Sequence, residues 1–528
     1  MDDFSERRPY NAVSDFVDAH VPRRAAKIAF IDPDRSLTYG DLRARSVRFA
    51  NALGNLGVRH EDRVALLLHD TVDYPVAFWG TIRAGSVALP LNTFLTQSQY
   101  AYILADSRAS TLVAAAPLAQ AIWPIAAKLP HLKTVIFVGA IEDDKAGFPG
   151  RDVHLFEDLI AKASGTAATA DTLSDEVAFW MYTSGSTGDP KGVRHVHSSL
   201  MATAKLMGQG ILGITEDDVV HSASKLFFAY GLGNAMSFPL SVGATTALWP
   251  ERPSPEGVFE MMRRHRPTIF YGVPSLYTAL LAHPDICKGA GSDRLRICVS
   301  AGEALPAHVG ERWRDVVGVD VLDGLGSTEL LNTFLSNRPS DIRYGSTGKP
   351  VPGYDLRIVD EQGRDLGADE IGELIVRGPS AGEGYWNQRA KSRRTFAGEW
   401  TYTGDKYRRD ADGYYYYCGR TDDMFKVSGM WVSPFDVEAA LASHEAVLEA
   451  AVIGRADSDG LIKPKAFIVL KNGIAADERL FETLKSHVKE KAGSWKFPRW
   501  IELRQNLPRT ATGKIQRYKL REEDRAAP

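Results

Sequence analysis

The sequence predicts an α/β protein with a large N-terminal domain of parallel sheets flanked by helices, a β-rich subdomain, and a small mobile α+β C-terminal domain. The chain has 528 residues, enough to build several cores. Helix and strand patterns alternate through its first half, which is typical of parallel sheets covered by helices. From about residue 345 short strands separated by turn signals replace this alternation.

A strand–helix–strand order is visible twice in the first half. Residues 41–56 place Leu42, Phe49 and Leu53 on one helical face, and Gly57 follows as a stop signal. Residues 63–68 and 86–90 then read as buried strands on either side of a helix at 74–85. The order recurs with strands at 268–271 and 295–300 around a helix at 275–281.

The β-rich subdomain is predicted from strands at 355–359, 372–377 and 413–418. A polar junction, Thr421-Asp-Asp423, follows them. Beyond it, residues 447–453 and 466–470 read as strands, and Leu480, Leu484 and Val488 stripe one helix. We therefore expect an N-terminal domain at 1–420 and a mobile C-terminal domain at 421–528.

Composition excludes several classes of protein. Lys and Arg number 63 against 66 Asp and Glu, and the net charge of −3 gives no electrostatic footprint for nucleic acid or an anionic membrane. The three cysteines form no CxxC pair, which argues against a disulfide framework or a cysteine zinc site. The charged N-terminus lacks the apolar core of a signal peptide. We expect a reduced, cytoplasmic, soluble protein, and the sequence leaves a homodimer open.

The most informative segment lies directly after a strand-like run at 177–182. Its hydroxyl residues alternate with glycines, and successive backbone N–H groups in such a loop form an anion-binding concavity. Lys191 adds a compact positive charge. The predicted phosphate-binding residues are Thr183, Ser184, Gly185, Ser186, Thr187, Gly188 and Lys191. The chain contains no Walker A sequence, so the common NTPase loop is not predicted.

This loop resembles the signature of the adenylate-forming superfamily, which includes acyl- and aryl-CoA synthetases, adenylation domains and luciferases. Four further segments resemble that family's motifs, in the family's order and over nearly the whole chain. They are Asp323-Gly-Leu-Gly-Ser-Thr-Glu329, Tyr402-Thr-Gly-Asp405, Gly419-Arg-Thr-Asp-Asp-Met-Phe-Lys426 and Pro508-Arg-Thr-Ala-Thr-Gly-Lys514. The resemblance implies that ATP, Mg²⁺ and coenzyme A are used, and that an acid is activated as its adenylate.

The resemblance also implies roles for the nucleotide-site residues. Glu329 is expected to bind Mg²⁺, Thr328 to touch the α-phosphate, and Asp405 with Arg420 to bind the ribose. Many family members carry Tyr at the position of Leu325, so adenine stacking is expected to be aliphatic here. The remaining expected ATP-binding residues are Gly302, Glu303, Ala304, Asp323, Gly324, Leu325, Gly326 and Ser327.

Lys514 resembles the family's catalytic lysine, which lies between the substrate carboxylate and the α-phosphate. Asp422 occupies the family's hinge position, about which the C-terminal domain swings between the two half-reactions. The face presented for the second half-reaction is expected to include Lys426, Ser428 and Gly429. His195, His197 and His221 lack carboxylate or cysteine partners at metal-ligand spacing, so no separate metal site is expected.

The expected acid is aromatic. Phe228 stands where many family members carry His, and an aromatic side chain there offers a flat apolar wall to a ring. Several stretches resemble benzoate–CoA ligases specifically, but Asn332 and Thr333 replace the His-Ile that those enzymes tend to carry. These two polar residues favour a ring hydroxyl, so benzoate or a hydroxybenzoate is expected. The expected substrate-binding residues are Phe228, Ala229, Tyr230, Gly231, Ala301, Asn332 and Thr333.

Two other functions stay open at this point. One is an aryl-adenylating enzyme that loads a carrier protein instead of CoA. The other is a non-catalytic sensor of nucleotides or acyl-adenylates, against which the intact set of Lys514, Glu329 and Asp405 argues. A benzoate or hydroxybenzoate–CoA ligase remains the main prediction.

Overall fold

A computed structural model describes residues 8–140, 148, 150–166, 169–183, 189–421, 423–427, 430–458, 460–474, 476–493, 495–509 and 515–526. The first strands are β1 (Ile28–Ile31), β2 (Ser36–Thr38), β3 (Arg63–Leu67), β4 (Val87–Pro90), β5 (Thr111–Ala115), β6 (Thr134–Val138), β7 (Asp152–Leu155), β8 (Val177–Thr183) and β9 (Lys191–Val196). They are followed by β10 (Val219–Ser222), β11 (Thr245–Ala247), β12 (Ile269–Gly272), β13 (Ile297–Ser300), β14 (Val321–Gly326), β15 (Thr333–Ser336) and β16 (Lys349–Pro350). The last strands are β17 (Asp355–Val359), β18 (Gly372–Arg377), β19 (Phe396–Ala397), β20 (Trp400–Arg409), β21 (Tyr415–Arg420), β22 (Phe425–Val427), β23 (Met430–Val432), β24 (Val447–Ala456), β25 (Ile462–Leu470) and β26 (Trp500–Leu503).

The α-helices lie between these strands. The first eight are α1 (Val13–Phe16), α2 (Val21–Arg24), α3 (Tyr39–Asn55), α4 (Asp73–Arg83), α5 (Gln97–Ser107), α6 (Phe156–Lys162), α7 (His197–Thr203) and α8 (Ala229–Leu232). The others are α9 (Phe238–Val242), α10 (Pro255–His265), α11 (Pro274–Ala282), α12 (Ala307–Val317), α13 (Arg389–Thr395), α14 (Pro434–Ala442), α15 (Glu478–Ala492) and α16 (Arg517–Ala526). None of the described helices is both long and apolar enough to cross a membrane.

Two large sheets form the N-terminal part. One has the strand order β7-β6-β5-β3-β4-β8-β9, and the other has the order β16-β15-β14-β13-β12-β10-β11-β1-β2. Their central pairs are parallel, as in β3–β5, β12–β13 and β13–β14. Antiparallel pairs lie towards the edges, at β8–β9 and β14–β15. The predicted parallel sheets are therefore confirmed, and loops leaving the carboxyl ends of parallel strands are available for a site.

Local sequence explains where the helices begin and what they cover. Thr38 and Asp41 form a reciprocal capping box that begins α3, and the buried face of this helix includes Leu42, Phe49 and Leu53. Helix α4 packs against α3 at Gly80, where an added Cβ would lie 2.7 Å from Phe49. Both helices contribute to a core that extends through the two large sheets. Burial of these apolar faces supplies the main stabilisation of the fold.

The chain then enters the β-rich region. Strands β17, β18, β20 and β19 form an antiparallel sheet, and β21 pairs with β20. Past β21 the sheets are small: β22 pairs with β23, and β24, β25 and β26 form a separate three-stranded sheet. Helices α14 and α15 cover β24 and β25 around a core that includes Val437, Leu441 and Leu484. The predicted fold class, an α/β N-terminal part with a smaller α+β part, is confirmed.

Candidate active site

The phosphate-binding segment connects two antiparallel strands. Thr183 ends β8 and lies opposite Lys191, the first residue of β9. The five expected contacts Ser184, Gly185, Ser186, Thr187 and Gly188 lie outside the described residues. Lys191 Nζ lies 4.4 Å from the ring centroid of Tyr385 and 3.3 Å from its hydroxyl. This cation–π contact fixes the lysine beside the loop that it is expected to serve.

The expected magnesium ligand, Glu329, is held by neighbours that the sequence interpretation did not include. The hydroxyl of Tyr385 donates to Glu329 Oε1 at 2.7 Å, and the backbone N–H of Gly382 donates to the Glu329 carbonyl at 2.8 Å. His195 Nε2 lies 2.8 Å from the carbonyl of Thr328, and burial lowers the pKa of His195 to about 4. The neutral imidazole therefore donates to Thr328 and supports the backbone that carries both expected catalytic residues.

The charges around Glu329 are mostly positive. Burial lowers the pKa of Lys191, while Glu329 raises it and the cations Lys391 and Arg420 lower it further. Burial raises the pKa of Tyr385, and the Glu329 carboxylate adds to this effect, so the tyrosine stays protonated and remains a hydrogen-bond donor. The Glu329 carboxylate thus acts on Lys191 and Arg420, and Lys391 adds a further positive charge that acts on Lys191, an arrangement suited to an anionic ligand that brings its own Mg²⁺.

The expected ribose-binding pair is assembled by strand register. Asp405 on β20 lies directly opposite Arg420 on β21. Arg420 Nη1 donates to Asp405 Oδ1 at 3.0 Å, and the Asp405 carboxylate raises the pKa of Arg420. The second carboxylate oxygen of Asp405 is left to accept from a ligand, as a ribose diol requires.

The expected adenine wall lies at the carboxyl ends of β13 and β14. Ser300 and Asp323 are paired across these strands. Both side chains are buried, and neither Ser300 Oγ nor Asp323 Oδ1 has a hydrogen-bond partner in the described part of the chain. Burial raises the pKa of Asp323. Unpaired buried polar atoms are costly, so a ligand with a polar edge, such as adenine, fits this wall.

The neighbouring glycine and leucine positions agree with this wall. Gly302 has a φ of +93°, a left-handed backbone that brings the Ala301–Ala304 turn around the end of β13. Gly326 packs so tightly that an added Cβ would lie 2.6 Å from the Asn332 carbonyl oxygen. Leu325 is half-buried against the main core and presents an aliphatic side chain on the same strand as Asp323. The remaining members of the set, Glu303, Gly324 and Ser327, lie on these two segments.

The expected aromatic pocket is built on the segment that enters α8. The ring of Phe228 lies edge-on to Phe227 at 4.5 Å between centroids, and both rings precede Ala229 and Gly231 in that helix. The hydroxyl of Tyr230 donates to the backbone carbonyls of Val299 at 3.3 Å and Gly272 at 3.4 Å. These contacts place the Tyr230 hydroxyl at the carboxyl ends of β12 and β13.

Asn332 joins the two segments that are expected to line the substrate pocket. Its Nδ2 donates to the carbonyl of Ala229 at 3.1 Å, and its Oδ1 accepts from the backbone N–H of Thr333 at 2.7 Å. The amide is 2% exposed and is therefore engaged with backbone on both sides. Thr333 is also buried, and its hydroxyl makes no hydrogen bond to a described residue. Of the two polar residues, Thr333 keeps a free hydroxyl.

Two buried charged residues, Asp70 and Lys225, support the segment that leads to Phe228. Both carboxylate oxygens of Asp70 accept from the backbone N–H of Leu226, at 3.2 and 3.3 Å. Lys225, whose Nζ donates to the carbonyl of Trp249, is buried beside Asp70. Burial raises the pKa of Asp70 to about 6, and the Lys225 charge opposes that rise. Asp70 therefore anchors the chain immediately before Phe227 and Phe228.

The C-terminal part approaches the nucleotide side of the site. Arg509 pairs by a β-bridge with Ile515. Arg509 Nη1 lies 3.8 Å from Glu303 Oε1 and Nη2 lies 2.8 Å from Glu449. Lys514 itself lies outside the described residues, as do Asp422, Ser428 and Gly429. Lys426 lies on β22.

Sequence interpretation missed Tyr385, His195 and Asp70 as parts of the site. Tyr385 stands 56 residues after its partner Glu329, and Asp70 stands 156 residues before Leu226. Nothing in the local pattern around these residues indicates such contacts. Only the pairing of distant elements brings them together.

Comparison with known protein families agrees with this geometry. The model of the AMP-binding enzyme family matches residues 17–386, and the model of the AMP-binding enzyme C-terminal domain matches residues 436–514. The chain belongs to the AMP-binding enzyme family. The resemblance drawn from the five motifs is therefore confirmed.

Relatives of this AMP-binding enzyme act on aromatic acids. It is 54% identical to the 4-hydroxybenzoate–CoA/benzoate–CoA ligase of Rhodopseudomonas palustris (strain ATCC BAA-98 / CGA009), over 98% of this chain and 94% of that protein. Among solved structures it resembles the anthranilate CoA ligase AuaEII in complex with anthranoyl-AMP, with a TM-score of 0.92 and 43% identity over 98% of both chains. It also resembles a benzoate CoA ligase from Burkholderia xenovorans LB400, with a TM-score of 0.89 and 47% identity over 97% of this chain and all (100%) of that one.

Proposed function

We propose that this protein is an ATP-dependent aryl-CoA ligase that converts benzoate or a hydroxybenzoate to its CoA thioester through an aryl-adenylate, releasing AMP and pyrophosphate. The observation that carries this proposal is the hydrogen bond from Asn332, three residues after Glu329, to the carbonyl of Ala229, which ties the aromatic segment at 228–230 to the chain that carries the expected Mg²⁺ ligand. The 54% identity to a 4-hydroxybenzoate–CoA/benzoate–CoA ligase, which extends over 98% of this chain, supports the same reaction.

The first half-reaction joins two anions. A carboxylate oxygen of the aryl acid attacks the α-phosphorus of ATP, the bond from that phosphorus to the oxygen bridging the β-phosphate breaks, and pyrophosphate leaves with the electron pair. Positioning and charge stabilisation dominate such a displacement. We propose that Lys514 supplies the positive charge between the carboxylate and the α-phosphate. One charge pair at 4 Å and an effective dielectric of about 20 contributes roughly 4 kcal/mol.

Glu329 is the proposed ligand for Mg²⁺, a hard cation that prefers oxygen ligands and neutralises charge on phosphates. The carboxylate fits this role because Tyr385 orients it through Oε1. Thr328, held through its backbone by His195, is proposed to contact the α-phosphate. Asp405 and Arg420 are proposed to bind the ribose, and Ser300 with Asp323 the adenine edge.

In the second half-reaction the sulfur of CoA, as its thiolate, attacks the carbonyl carbon of the aryl-adenylate, and the bond to the AMP oxygen breaks. We propose that residues 421–528 reorient about Asp422 between the two steps and present Lys426, Ser428 and Gly429 to CoA. The contact of Arg509, five residues before Lys514, with Glu303 supports an adenylation-competent arrangement. Because the reaction consumes ATP and CoA, we propose a cytoplasmic location.

We propose that Thr333 recognises the ring substituent of the acid. The side-chain amide of Asn332 is already hydrogen-bonded to backbone groups of Ala229 and Thr333, so its role is to hold the two expected pocket segments together. Thr333 offers a buried hydroxyl that a ring hydroxyl can satisfy. This arrangement favours acceptance of hydroxybenzoates alongside benzoate.

A panel of aromatic acids tests the proposal. Benzoate, 3-hydroxybenzoate, 4-hydroxybenzoate and a long-chain fatty acid are each supplied with ATP, Mg²⁺ and CoA, while pyrophosphate release and thioester formation are followed separately. We expect both signals for the aromatic acids and neither for the fatty acid. Pyrophosphate release that yields a thioester only with a carrier protein, or no release with any aromatic acid, would contradict the proposal.

A further inference from the structure

An exposed basic helix lies against the Glu329–Lys191 cluster. Helix α13 carries Arg389, Lys391, Arg393 and Arg394, all exposed, within seven residues. Its inner side is fixed to the site: Ser392 Oγ accepts from the backbone N–H of Tyr385 at 3.0 Å, and Thr395 Oγ1 lies 3.4 Å from the Tyr385 hydroxyl. The helix is therefore attached to the residue that orients Glu329.

Helical geometry selects one of these four cations. Lys391 and Thr395 are four residues apart, so their side chains share one face of α13, the face that meets the Tyr385 hydroxyl. Arg393 is two residues from both and projects from the other side. Consistent with this placement, the charge of Lys391 acts on Lys191.

The region around Lys191 contains more cations than carboxylates among the residues that the structure describes. Lys191, Lys391 and Arg420 all act on the same region, where Glu329 is the acidic partner; the other nearby carboxylate, Asp405, is already paired with Arg420. No ion pair is formed by Lys391 with any residue that the structure describes. The like charges of Lys191 and Lys391 repel each other, and a multiply charged anion removes that repulsion.

We propose that Lys391 is an additional phosphate-binding residue, which engages the β- and γ-phosphates of ATP and, after adenylation, the departing pyrophosphate. This inference rests on the proposed function and adds to it a contact outside the glycine-rich loop. Lys191 approaches the phosphates from β9 and Lys391 from α13, so the two lysines bind the leaving group from two elements. AMP lacks these phosphates and is not expected to depend on Lys391.

The test compares Lys391→Gln with Arg393→Gln, a matched loss of one exposed charge from the other side of the same helix. For each full-length variant we measure the KM for ATP in aryl-acid-dependent pyrophosphate release, the inhibition constant of pyrophosphate with Mg²⁺, and the dissociation constant of AMP by calorimetry. We expect Lys391→Gln to raise the first two by about three- to tenfold and to leave AMP binding unchanged. Arg393→Gln should change none of them, and Lys391→Arg should restore binding.

The outcomes separate this inference from the proposed reaction. Equal weakening of AMP and pyrophosphate, equal effects of the two glutamine variants, or no effect of Lys391→Gln would each overturn it. Calorimetric binding of pyrophosphate with Mg²⁺ requires no turnover. If wild-type protein binds pyrophosphate in a Lys391-dependent manner but activates no aryl acid, only the proposed function fails.

Discussion

The Tyr385 hydroxyl donates a 2.7 Å hydrogen bond to Oε1 of Glu329, and the same tyrosine ring lies 4.4 Å from the ammonium of Lys191. One side chain therefore positions both a carboxylate and a cation of the nucleotide site. Tyr385 is itself fixed by α13 through Ser392. The geometry of the phosphate site thus depends on a residue that no nucleotide motif contains.

The first prediction concerns this hydrogen bond. Tyr385→Phe keeps the ring beneath Lys191 but leaves Glu329 free to rotate, so the apparent affinity for Mg²⁺ in pyrophosphate release should fall about tenfold. The measurement is a Mg²⁺ titration at saturating ATP and benzoate. Tyr344→Phe, which removes a 2.7 Å hydrogen bond to Asp320 away from the site, is the matched control. An unchanged Mg²⁺ titration in Tyr385→Phe would show that Glu329 needs no such support.

The second prediction separates the half-reactions through Lys514. Lys514→Ala should lower the rate of adenylation about 10²- to 10³-fold, because the attacking carboxylate and the α-phosphate then meet without a neutralising charge. Thioester formation from supplied benzoyl-AMP and CoA should stay near the wild-type rate. Lys519→Ala, on the exposed side of α16, is the control. Full adenylation by Lys514→Ala would remove this lysine from the mechanism.

A related substitution examines the hinge. Asp422→Pro restricts the backbone at the proposed pivot, so it should spare adenylation and impair thioester formation. The two half-reactions are measured separately, by pyrophosphate release and by consumption of supplied benzoyl-AMP. Equal losses in both would reject Asp422 as the hinge.

The fourth prediction concerns the ring substituent. Thr333→Val keeps the volume of the side chain but removes its hydroxyl, so the ratio of kcat/KM for hydroxybenzoate over benzoate should fall about five- to tenfold for the isomer whose hydroxyl reaches this position. Thr246→Val serves as the control, since Thr246 is also buried and its hydroxyl also lacks a partner among the described residues. A strong preference of the wild type for plain benzoate, unchanged in Thr333→Val, would exclude hydroxyl recognition here.

The fifth prediction follows from Asp70, whose pKa burial raises to about 6 from an unfolded value of about 4. Between these values the folded protein binds more protons than the unfolded chain, so the contribution of Asp70 to the free energy of unfolding falls as pH rises, by about 2 to 3 kcal/mol in total. Asp70→Asn has no such titration. The difference in unfolding free energy between wild type and Asp70→Asn should therefore decrease from pH 4 to pH 6.5 and be constant above it.

Denaturation of both proteins across this range provides the measurement. A difference that increases with pH would mean that attraction to Lys225 outweighs burial and holds the pKa of Asp70 low. Asp70→Asn should also raise the KM for benzoate more than that for ATP, because Asp70 anchors Leu226 next to the aromatic wall and lies away from Asp405.

Much of the fold could be read from local patterns. The predicted helix at 41–56 is α3 at Tyr39–Asn55, and the predicted strands at 355–359 and 372–377 are β17 and β18. These elements have strong periodicity and clear stop signals, which depend only on near neighbours in the chain. The short strands β1 and β11 have no such pattern, because their pairing with each other, which places Phe30 opposite Thr246, defines them.

The amino-acid sequence by itself determined the family, the order of the nucleotide motifs and the aromatic character of the acid, because each of these is written in contiguous residues whose chemistry is local. Only the tertiary structure decided how those residues are held: Tyr385 on Glu329, Asp70 behind Phe228, and Asn332 bound to Ala229, a residue 103 positions away. Such contacts form because buried polar atoms need hydrogen-bond partners, and these partners come from distant elements. Local sequence patterns do not predict which residues pair in this way.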